Sequence, residues 1–291
     1  MSGAAERRMV LGCRPGPLGE GAQMADQAGL DFVLLSGDPD HGPIGQDPLS
    51  VAAFLMTVTR GLGLAASVPT AWAPFNVARA LASFDLLSGG RGGWLPVRGA
   101  IGQAQADEHL DVVLQLFDSW DDDALVFDKA TAVFADRDKV RRIRHAGAFY
   151  TVDGPLNAPR PIQGHPVLFQ TLDESTGLTD VALVDLGLIE AGPRPALPSP
   201  STLIVAEVAV ARSLDAPGLA DRLAAAYRGG GCDGFLFKPA DPLLDTAWLA
   251  ETVIHRLQTQ APAALASAKG DFRTRLGLPR PGNRFAASAS S

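Results

Sequence analysis

Residues 31–68 read DFVLLSGDPDHGPIGQDPLSVAAFLMTVTRGLGLAASV and decide the fold class. The stretch begins and ends with short, nearly continuous apolar runs, DFVLLS at 31–36 and LGLAASV at 62–68. Runs of this kind are typical of strands that are buried on both faces. Between them, residues 48–60 have apolar side chains at helical spacing, and Asp47 before Pro48 is a typical helix start. The stretch therefore predicts a strand–helix–strand unit.

The same alternation continues along the chain in both directions. Further strands are predicted at 9–13, 94–97, 166–170, 202–210 and 233–238, with 182–186 as an additional candidate. Further helices are predicted at 21–28, 74–87, 106–120, 217–227 and 244–257. Alternation of strands and helices predicts a parallel sheet covered by helices. About seven strands are firm, so we predict a (β/α)8 TIM-barrel-like fold that is either complete or incomplete.

Two segments interrupt this pattern. Residues 125–153 change to short extended pieces and turns, which predict a small hairpin region outside the barrel. Residues 191–201 are dense in proline and predict either a loop across the barrel mouth or the trace of an absent segment. Because one barrel takes roughly 250 residues, residues 1–286 are predicted to form a single domain. The low-complexity residues 287–291 are predicted to be a disordered tail.

Composition excludes several classes of protein. The formal net charge is −7, and the basic run at 139–144 is short enough to be a solvated turn, so nucleic-acid binding is not expected. The two cysteines, Cys13 and Cys232, lack CxxC spacing, and we expect neither a disulfide framework nor a metal site. No signal peptide and no membrane-spanning run are recognised, which favours a cytoplasmic protein without membrane contact.

Generic catalytic motifs do not identify a reaction. Gly61, Gly63 and Ala66 match GxGxxA but enter a strand instead of opening a helix, so they are interpreted as turn residues. Residues 107–109 (DEH) are interpreted as a charged helix face, and residues 121–123 (DDD) as a solvated loop. Cys232 is interpreted as a buried structural thiol. Catalytic residues therefore remain unknown at this level.

Several long stretches nevertheless resemble one family. These stretches are DFVLLSGDP at 31–39, TAWAPFNVARALASFDLLSGGRGGW at 70–94, the run 106–170, CDGF at 232–235 and RLGLPRPGNRFA at 275–286. In this order they resemble the nitrilotriacetate monooxygenase and pristinamycin synthase branch of the luciferase-like, flavin-dependent monooxygenases. A long central stretch of that branch has no counterpart here, so the chain resembles a shortened and divergent member.

The resemblance implies a function as well as a fold. It implies a (β/α)8 barrel that binds reduced FMN at the carboxyl ends of its strands and uses dioxygen to oxygenate a small organic substrate. Coenzyme F420 is the alternative cofactor, and a pocket without any cofactor is a third option. A flavin reductase is the implied partner, and a homo- or hetero-oligomer is expected. Most of the chemistry would belong to the cofactor, which accounts for the missing catalytic triad.

The resemblance also suggests cofactor-binding residues. The family's flavin-contacting aspartate falls on Gly37 with Asp38 beside it, and the threonine at the next strand end is matched by Thr70. Trp94 is matched as well, whereas Gln103 stands where the family has a tyrosine. In the family's phosphate loop, Ser175 is a candidate ligand. That loop reads TLDES here, and its two carboxylates and a leucine would oppose a phosphate.

Three functions stay open on these observations. The first is an oxidoreductase with an altered pocket, for which Trp72, Phe75 and Trp94 could line an aromatic surface or merely pack in the core. The second is a non-catalytic paralogue that serves as a partner or regulatory subunit of a full-length flavin monooxygenase. The third is a substrate-binding protein without flavin, which no sequence feature favours.

Overall fold

Eight parallel strands form a closed barrel in the computed structural model. The structure describes residues 8–15, 19–37, 46–262, 264–265 and 269–286. The barrel strands are β1 (Val10–Cys13), β2 (Phe32–Leu35), β3 (Gly63–Pro69), β4 (Gly92–Val97), β9 (Val167–Thr171), β10 (Val181–Asp185), β11 (Leu203–Val210) and β12 (Gly234–Pro239). Around the barrel they follow one another in the order β1-β12-β11-β10-β9-β4-β3-β2. All eight predicted strands are confirmed, including the candidate at 182–186, and the barrel is complete.

Helices surround this barrel. They are α1 (Gly19–Gln27), α2 (Pro48–Val58), α3 (Pro74–Ser88), α4 (Gln103–Phe117), α5 (Leu186–Ala191), α6 (Ala216–Arg228), α7 (Leu244–Leu249), α8 (His255–Gln260) and α9 (Phe272–Arg275). A π-helical stretch, Ala250–Ile254, joins α7 to α8. Asp47 caps α2 by accepting a hydrogen bond from the Ser50 amide, as its position before Pro48 predicts. No helix in the described residues is long and apolar enough to cross a membrane.

The barrel interior is filled by side chains and closed at its amino end by α9. Phe272 of α9 is fully buried and packs with Phe32 and Phe169 inside the barrel, at ring centroid distances of 6.0 and 6.3 Å. A Cβ atom at Gly63 or Gly93 would lie only 2.5 or 3.1 Å from this ring. Glycines in β3 and β4 therefore make the space into which Phe272 inserts.

The segment at 125–153 lies outside the barrel, as predicted. It forms two antiparallel pairs, β5 (Leu125–Asp128) with β6 (Val133–Ala135) and β7 (His145–Ala146) with β8 (Thr151–Val152). The small hairpin region is thus confirmed.

Two charged segments were interpreted as solvated, and most of their charged side chains are indeed exposed, but both segments also form ion pairs that were not predicted. Asp121, Asp122 and Asp123 all form ion pairs, and the basic run at 139–144 supplies part of the partners. Arg141 holds Asp121 through two hydrogen bonds, whereas Lys139 pairs with Asp123. The remaining acid, Asp122, pairs with Arg160 and Arg280. These contacts were not predictable from the sequence, because they join the hairpin region and the carboxyl-terminal segment to the end of α4, which are far apart along the chain.

The proline-rich segment at 191–201 connects α5 to the amino end of β11, so the expectation of a loop across the barrel mouth is wrong. Parallel strands place every helix-to-strand connection at the amino end of the barrel. Arg194 in this loop pairs with Asp233, directly before β12. The predicted tail at 287–291 lies outside the described residues.

Candidate functional site

A narrow cleft lies at the carboxyl ends of β3, β4 and β9, where they meet the start of α4. Its polar side chains are those of Thr70, Arg98, Gln103, Asp107, Gln170 and Glu174. Thr70 follows β3, and its hydroxyl contacts the carbonyl oxygens of Val97 and Arg98 at 3.2 and 3.1 Å. This contact ties the ends of β3 and β4 together. The carboxyl ends of barrel strands carry the active sites of TIM-barrel enzymes, so the location is that of a functional site.

The guanidinium of Arg98 is held in position by two neighbours. Its Nη1 donates to Gln103 Oε1 at 2.6 Å, and its Nε lies 3.4 Å from Glu174 Oε1. The Gln103 amide nitrogen in turn donates to Asp107 at 2.8 Å. The cleft therefore contains one oriented cation and two carboxylates.

The start of α4 adds a positive potential to this cleft. Gly102 precedes the helix, and none of the side chains that the structure describes caps its first turn. The first four amides of an α-helix have no partner inside the helix, and the helix dipole makes this end attractive to anions. Gln103, the first residue of α4, lines the cleft. An anionic group would thus meet both the Arg98 guanidinium and the start of a 15-residue helix.

The structure brings only some of the predicted site residues together. Thr70 and Gln103 line the same cleft, and Ser175 follows Glu174 on the adjacent turn, where its hydroxyl donates to the Thr171 carbonyl. Trp94 is fully buried in the outer core beneath the helices, since its strand neighbours Gly93 and Leu95 face the barrel interior. Asp38 lies outside the described residues.

The other two aromatic candidates differ in exposure. Trp72 is 40% exposed, and its carbonyl oxygen accepts a hydrogen bond from His109 Nε2 at 2.9 Å. Phe75 packs partly buried against the outer core. Of the three aromatic residues, Trp72 alone presents a substantial exposed surface at this end of the barrel.

The interpretation of residues 107–109 as a charged face is wrong for two of the three. His109 is buried, and burial lowers its pKa while the hydrogen bond to the Trp72 carbonyl partly opposes that shift. Glu108 accepts hydrogen bonds from three consecutive backbone amides, those of residues 148–150, and from His145. This part of α4 anchors both the Trp72 loop and the second hairpin.

A second charged set was missed by sequence reasoning. Glu207 of β11 accepts a hydrogen bond from Arg14 Nη2 at 2.7 Å and lies 3.7 Å from Lys238 Nζ of β12. Glu207 and Lys238 follow the interior residues Val205 and Leu236 by two positions, so both face the barrel mouth. Strands β1, β11 and β12 lie across the barrel from β3, β4 and β9. The available signal was a single charged residue within each of two otherwise apolar strands, Glu207 in β11 and Lys238 near the end of β12.

The comparisons with known proteins identify the family. The family model described as luciferase-like monooxygenase matches residues 5–189, which is more than half of the chain. The chain belongs to the luciferase-like monooxygenase family. Among the described residues, no group of three His, Cys, Asp or Glu side chains is placed so that it could hold a metal ion.

Individual relatives cover different shares of the chain. One of the subunits of pristinamycin IIA synthase, from Streptomyces pristinaespiralis, is 32% identical over 286 residues, which are 94% of this chain and 93% of that protein. The dibenzothiophene-sulfone monooxygenase of Rhodococcus erythropolis is 39% identical over 172 residues, 53% of this chain. This chain spans 38% of the length of that enzyme. The short length relative to the family is therefore shared with the first of these two relatives.

A solved structure supports the fold independently. EDTA monooxygenase from Chelativorans sp. BNC1 superimposes with a TM-score of 0.77 at 20% sequence identity. The superposition covers 94% of this chain and 99% of that one. At this identity the likeness concerns the fold, which is the (β/α)8 barrel expected from the sequence.

The cleft offers groups of the kind that bind a phosphate, but its volume of about 20 Å³ suffices for little more than one water molecule, so a phosphate can enter only if the lining side chains move apart. Arg98 supplies a guanidinium and the start of α4 supplies backbone amides, whereas the Thr70 hydroxyl and the Gln103 amide already donate within the protein and hold these groups in place. Glu174 is the main opposing group, because its carboxylate shares Arg98 with the incoming anion. Glu174 lies at the end of a short 3-10 turn (Leu172–Glu174), and Arg98 is also held by Gln103.

Proposed function

We propose that this chain is a flavin-dependent monooxygenase-type oxidoreductase that works with reduced FMN and dioxygen on a small organic substrate. The observation that carries the proposal is the convergence of Thr70, Arg98 and Gln103 on one cleft at the carboxyl ends of the strands. Membership of the luciferase-like monooxygenase family supports the same conclusion. Bound reduced flavin supplies the chemistry of oxygen activation.

The residues of this chain then bind and orient. Arg98 pairs with the phosphate, while Gln103 keeps the guanidinium in place through its 2.6 Å hydrogen bond. Thr70, at the end of β3, fixes the spacing between β3 and β4 through its contacts with two carbonyl oxygens. Ser175 stands on the adjacent turn, and Asp38 and Trp94 complete the set suggested by the family resemblance. Of these residues, Trp94 packs in the outer core and supports β4 on the side that faces the helices.

The organic substrate is assigned to the remaining part of the barrel mouth. Arg14, Glu207 and Lys238 stand on the side across from the cleft, above an apolar interior that contains Leu183 and Leu236. A small molecule between the two sides would have an apolar floor and a few charged groups, as small-molecule sites commonly have. A flavin reductase that delivers reduced FMN is the expected partner, and coenzyme F420 is the alternative cofactor.

Ligand titration tests this function. Purified protein is titrated anaerobically with reduced FMN, and separately with oxidised FMN, riboflavin and F420, with cofactor or tryptophan fluorescence as the readout. Saturable binding of reduced FMN, tighter than that of riboflavin, is expected because only FMN carries the phosphate. No binding of any of the four up to about 1 mM, where the binding free energy is only about −4 kcal/mol, contradicts the proposal.

A second candidate function, a non-catalytic partner subunit, is favoured by one specific feature. The β5–β6 hairpin exposes four large apolar side chains, those of Val126, Phe127, Val133 and Phe134. Moreover, the relative that matches nearly the whole chain is named as a subunit. Sedimentation velocity of the protein and of its Phe127→Ser/Phe134→Ser variant tests this role. Concentration-dependent association that the variant loses supports it, whereas a monomer that binds reduced FMN contradicts it.

A further inference from the structure

A basic recess lies at the amino end of the barrel, on the face opposite to the proposed flavin cleft. We define it by four cationic side chains, Arg60, Arg91, Lys269 and Arg275. The recess has a volume of about 350 Å³, at the lower end of the roughly 300–1,000 Å³ usual for small-molecule sites. Its position separates it from the carboxyl-end mouth, where TIM-barrel chemistry takes place.

None of these four cations forms an ion pair with a carboxylate of the described residues. Arg91 donates hydrogen bonds to neutral oxygens only, among them the carbonyls of Met56, Thr59 and Ser88. Its hydrogen-bonding needs are met, but its charge is not neutralised. Buried or half-buried charges are normally paired with an opposite charge. The recess therefore holds positive charge that the carboxylates of the described residues compensate only in part.

Arg275 provides the second observation. One amino group of its guanidinium, Nη1, donates to the Gly61 carbonyl, whereas the other, Nη2, is buried and has no hydrogen-bond partner among the described residues. Burial lowers the pKa of Arg275; the carboxylate of Asp31 opposes this shift, whereas the positive charges of Arg8 and Arg91 add to it. The guanidinium also lies over the ring of Phe272, with Cζ 5.6 Å from the ring centroid, so part of its positive charge faces an aromatic ring.

The neighbouring carboxylates are already engaged. Asp26 accepts the backbone amides of Arg60 and Gly61 at 2.7 and 3.1 Å, and its charge partly offsets those of Arg91 and Arg275. Asp31 pairs with Arg8. The four cations of the recess outnumber these two carboxylates, so the site carries a net positive charge.

From these observations we propose that the basic recess binds a small phosphate-type oxyanion, as free phosphate or as the phosphate of a phosphomonoester. Arg275 and Arg91 form the inner part of the site, and the exposed Arg60 and Lys269 close over the ligand from both sides. A tetrahedral oxyanion offers the several acceptor oxygens that guanidinium groups bind well. Bound there, it stabilises the fold at the end where α9 closes the barrel.

Thermal unfolding in phosphate at constant ionic strength tests this site, with sodium chloride making up the difference. Inorganic phosphate is expected to raise Tm with a saturable dependence, and the Arg60→Gln/Lys269→Gln variant should weaken phosphate binding by about tenfold, or about 1.4 kcal/mol. Arg98→Gln is the matched control at the other end of the barrel and should leave this stabilisation intact. Glycerol phosphate, titrated in parallel, distinguishes a phosphomonoester from the free ion by its tighter or weaker binding.

Two results would overturn the proposal. One is a phosphate effect no larger than that of chloride at equal ionic strength. The other is a wild-type phosphate affinity in the Arg60→Gln/Lys269→Gln variant. Because both substitutions are at exposed side chains, the variant is expected to fold, and an unchanged circular dichroism spectrum checks this point. FMN titration of the same variant shows whether the flavin cleft still binds its ligand, so failure of the recess proposal is distinguishable from failure of the proposed function.

Discussion

The guanidinium of Arg98 lies 3.4 Å from the carboxylate of Glu174, measured from Nε to Oε1, across the cleft that Thr70 and Gln103 also line. Arg98 follows β4 and Glu174 follows β9, so the ion pair spans two neighbouring barrel strands. With 38% of the Arg98 side chain exposed, the pair is accessible to solvent and contributes little to stability. Because Glu174 would compete with a bound anion for Arg98, this pair affects how readily the guanidinium binds a phosphate.

Glu174→Gln is therefore expected to strengthen FMN binding. The substitution removes a negative charge beside the proposed phosphate position, and such a pair costs about 1 kcal/mol even in water, or roughly a fivefold change in affinity. The measurement is a fluorescence titration with FMN. Asp173→Asn is the control, because that exposed carboxylate lies on the same turn without lining the cleft. Equal affinities in wild type and Glu174→Gln would refute this role of the carboxylate.

Asp118 is expected to be important for stability. Its side chain is 1% exposed and pairs with Arg160, His165 and Arg284. Burial opposes its ionisation, but hydrogen bonds and charges from His165 and Arg160 outweigh burial and lower its pKa. Asp118→Asn leaves the buried Arg160 with the half-exposed Asp122 as its remaining carboxylate and should cost up to about 3–5 kcal/mol in the free energy of unfolding. Urea denaturation measures this loss.

The matched control for that experiment is Asp123→Asn. Asp123 also pairs with a cation, Lys139, but it is 75% exposed. Its loss should change the free energy of unfolding by no more than about 1 kcal/mol. Similar effects of the two substitutions would show that burial of the Asp118 cluster does not matter.

Phe272→Ala is expected to destabilise the barrel from its amino end. The ring is fully buried among Phe32, Phe169, Gly63 and Gly93, and its removal leaves a cavity that backbone glycines cannot fill. A loss of about 3–5 kcal/mol is expected for a buried phenylalanine. Chemical denaturation is the measurement. Phe134→Ala, at a side chain that is 59% exposed, is the control and should have little effect.

The buried His109 predicts a specific dependence of stability on pH. Burial lowers its pKa below the ordinary value of 6.5, so as the pH falls the unfolded state takes up the proton first. Stability from this group is therefore present above pH 6.5 and decreases as the pH falls below it. The loss of unfolding free energy between pH 8 and pH 5.5 should be smaller in His109→Gln than in wild type.

An exposed histidine gives the comparison for that experiment. His255→Gln, in α8, should show the same loss between pH 8 and pH 5.5 as wild type. His165 has its pKa lowered mainly by burial and contributes in the same direction in all three proteins, so it cancels in the comparison. Identical pH profiles of wild type and His109→Gln would contradict the assignment to His109.

The architecture was predictable because the strands are marked by composition. Each barrel strand is a short apolar run, and even β10 (Val181–Asp185), which was only a candidate, has this pattern. In contrast, α9 is only four residues long and amphipathic periodicity cannot reveal it. Its insertion beneath the barrel depends on glycines at 63 and 93, far away in the sequence.

The site was predictable only in part. Thr70 and Gln103 were suggested by the family resemblance, and the structure places both in one cleft. The orientation of Trp94 depends on the strand pleat, which puts it among the helices instead of at the mouth. Arg98 and Glu174 form an ion pair because β4 and β9 are neighbours in the barrel. One sequence alone does not reveal which strands are neighbours.

Paired titrations of FMN and riboflavin against wild type and Arg98→Gln test the central claim most directly. If Arg98 holds the phosphate, the substitution should weaken FMN binding by about tenfold or more and leave riboflavin, which lacks the phosphate, unchanged. An Arg98→Gln variant that binds FMN as tightly as wild type, or that loses FMN and riboflavin equally, would contradict it.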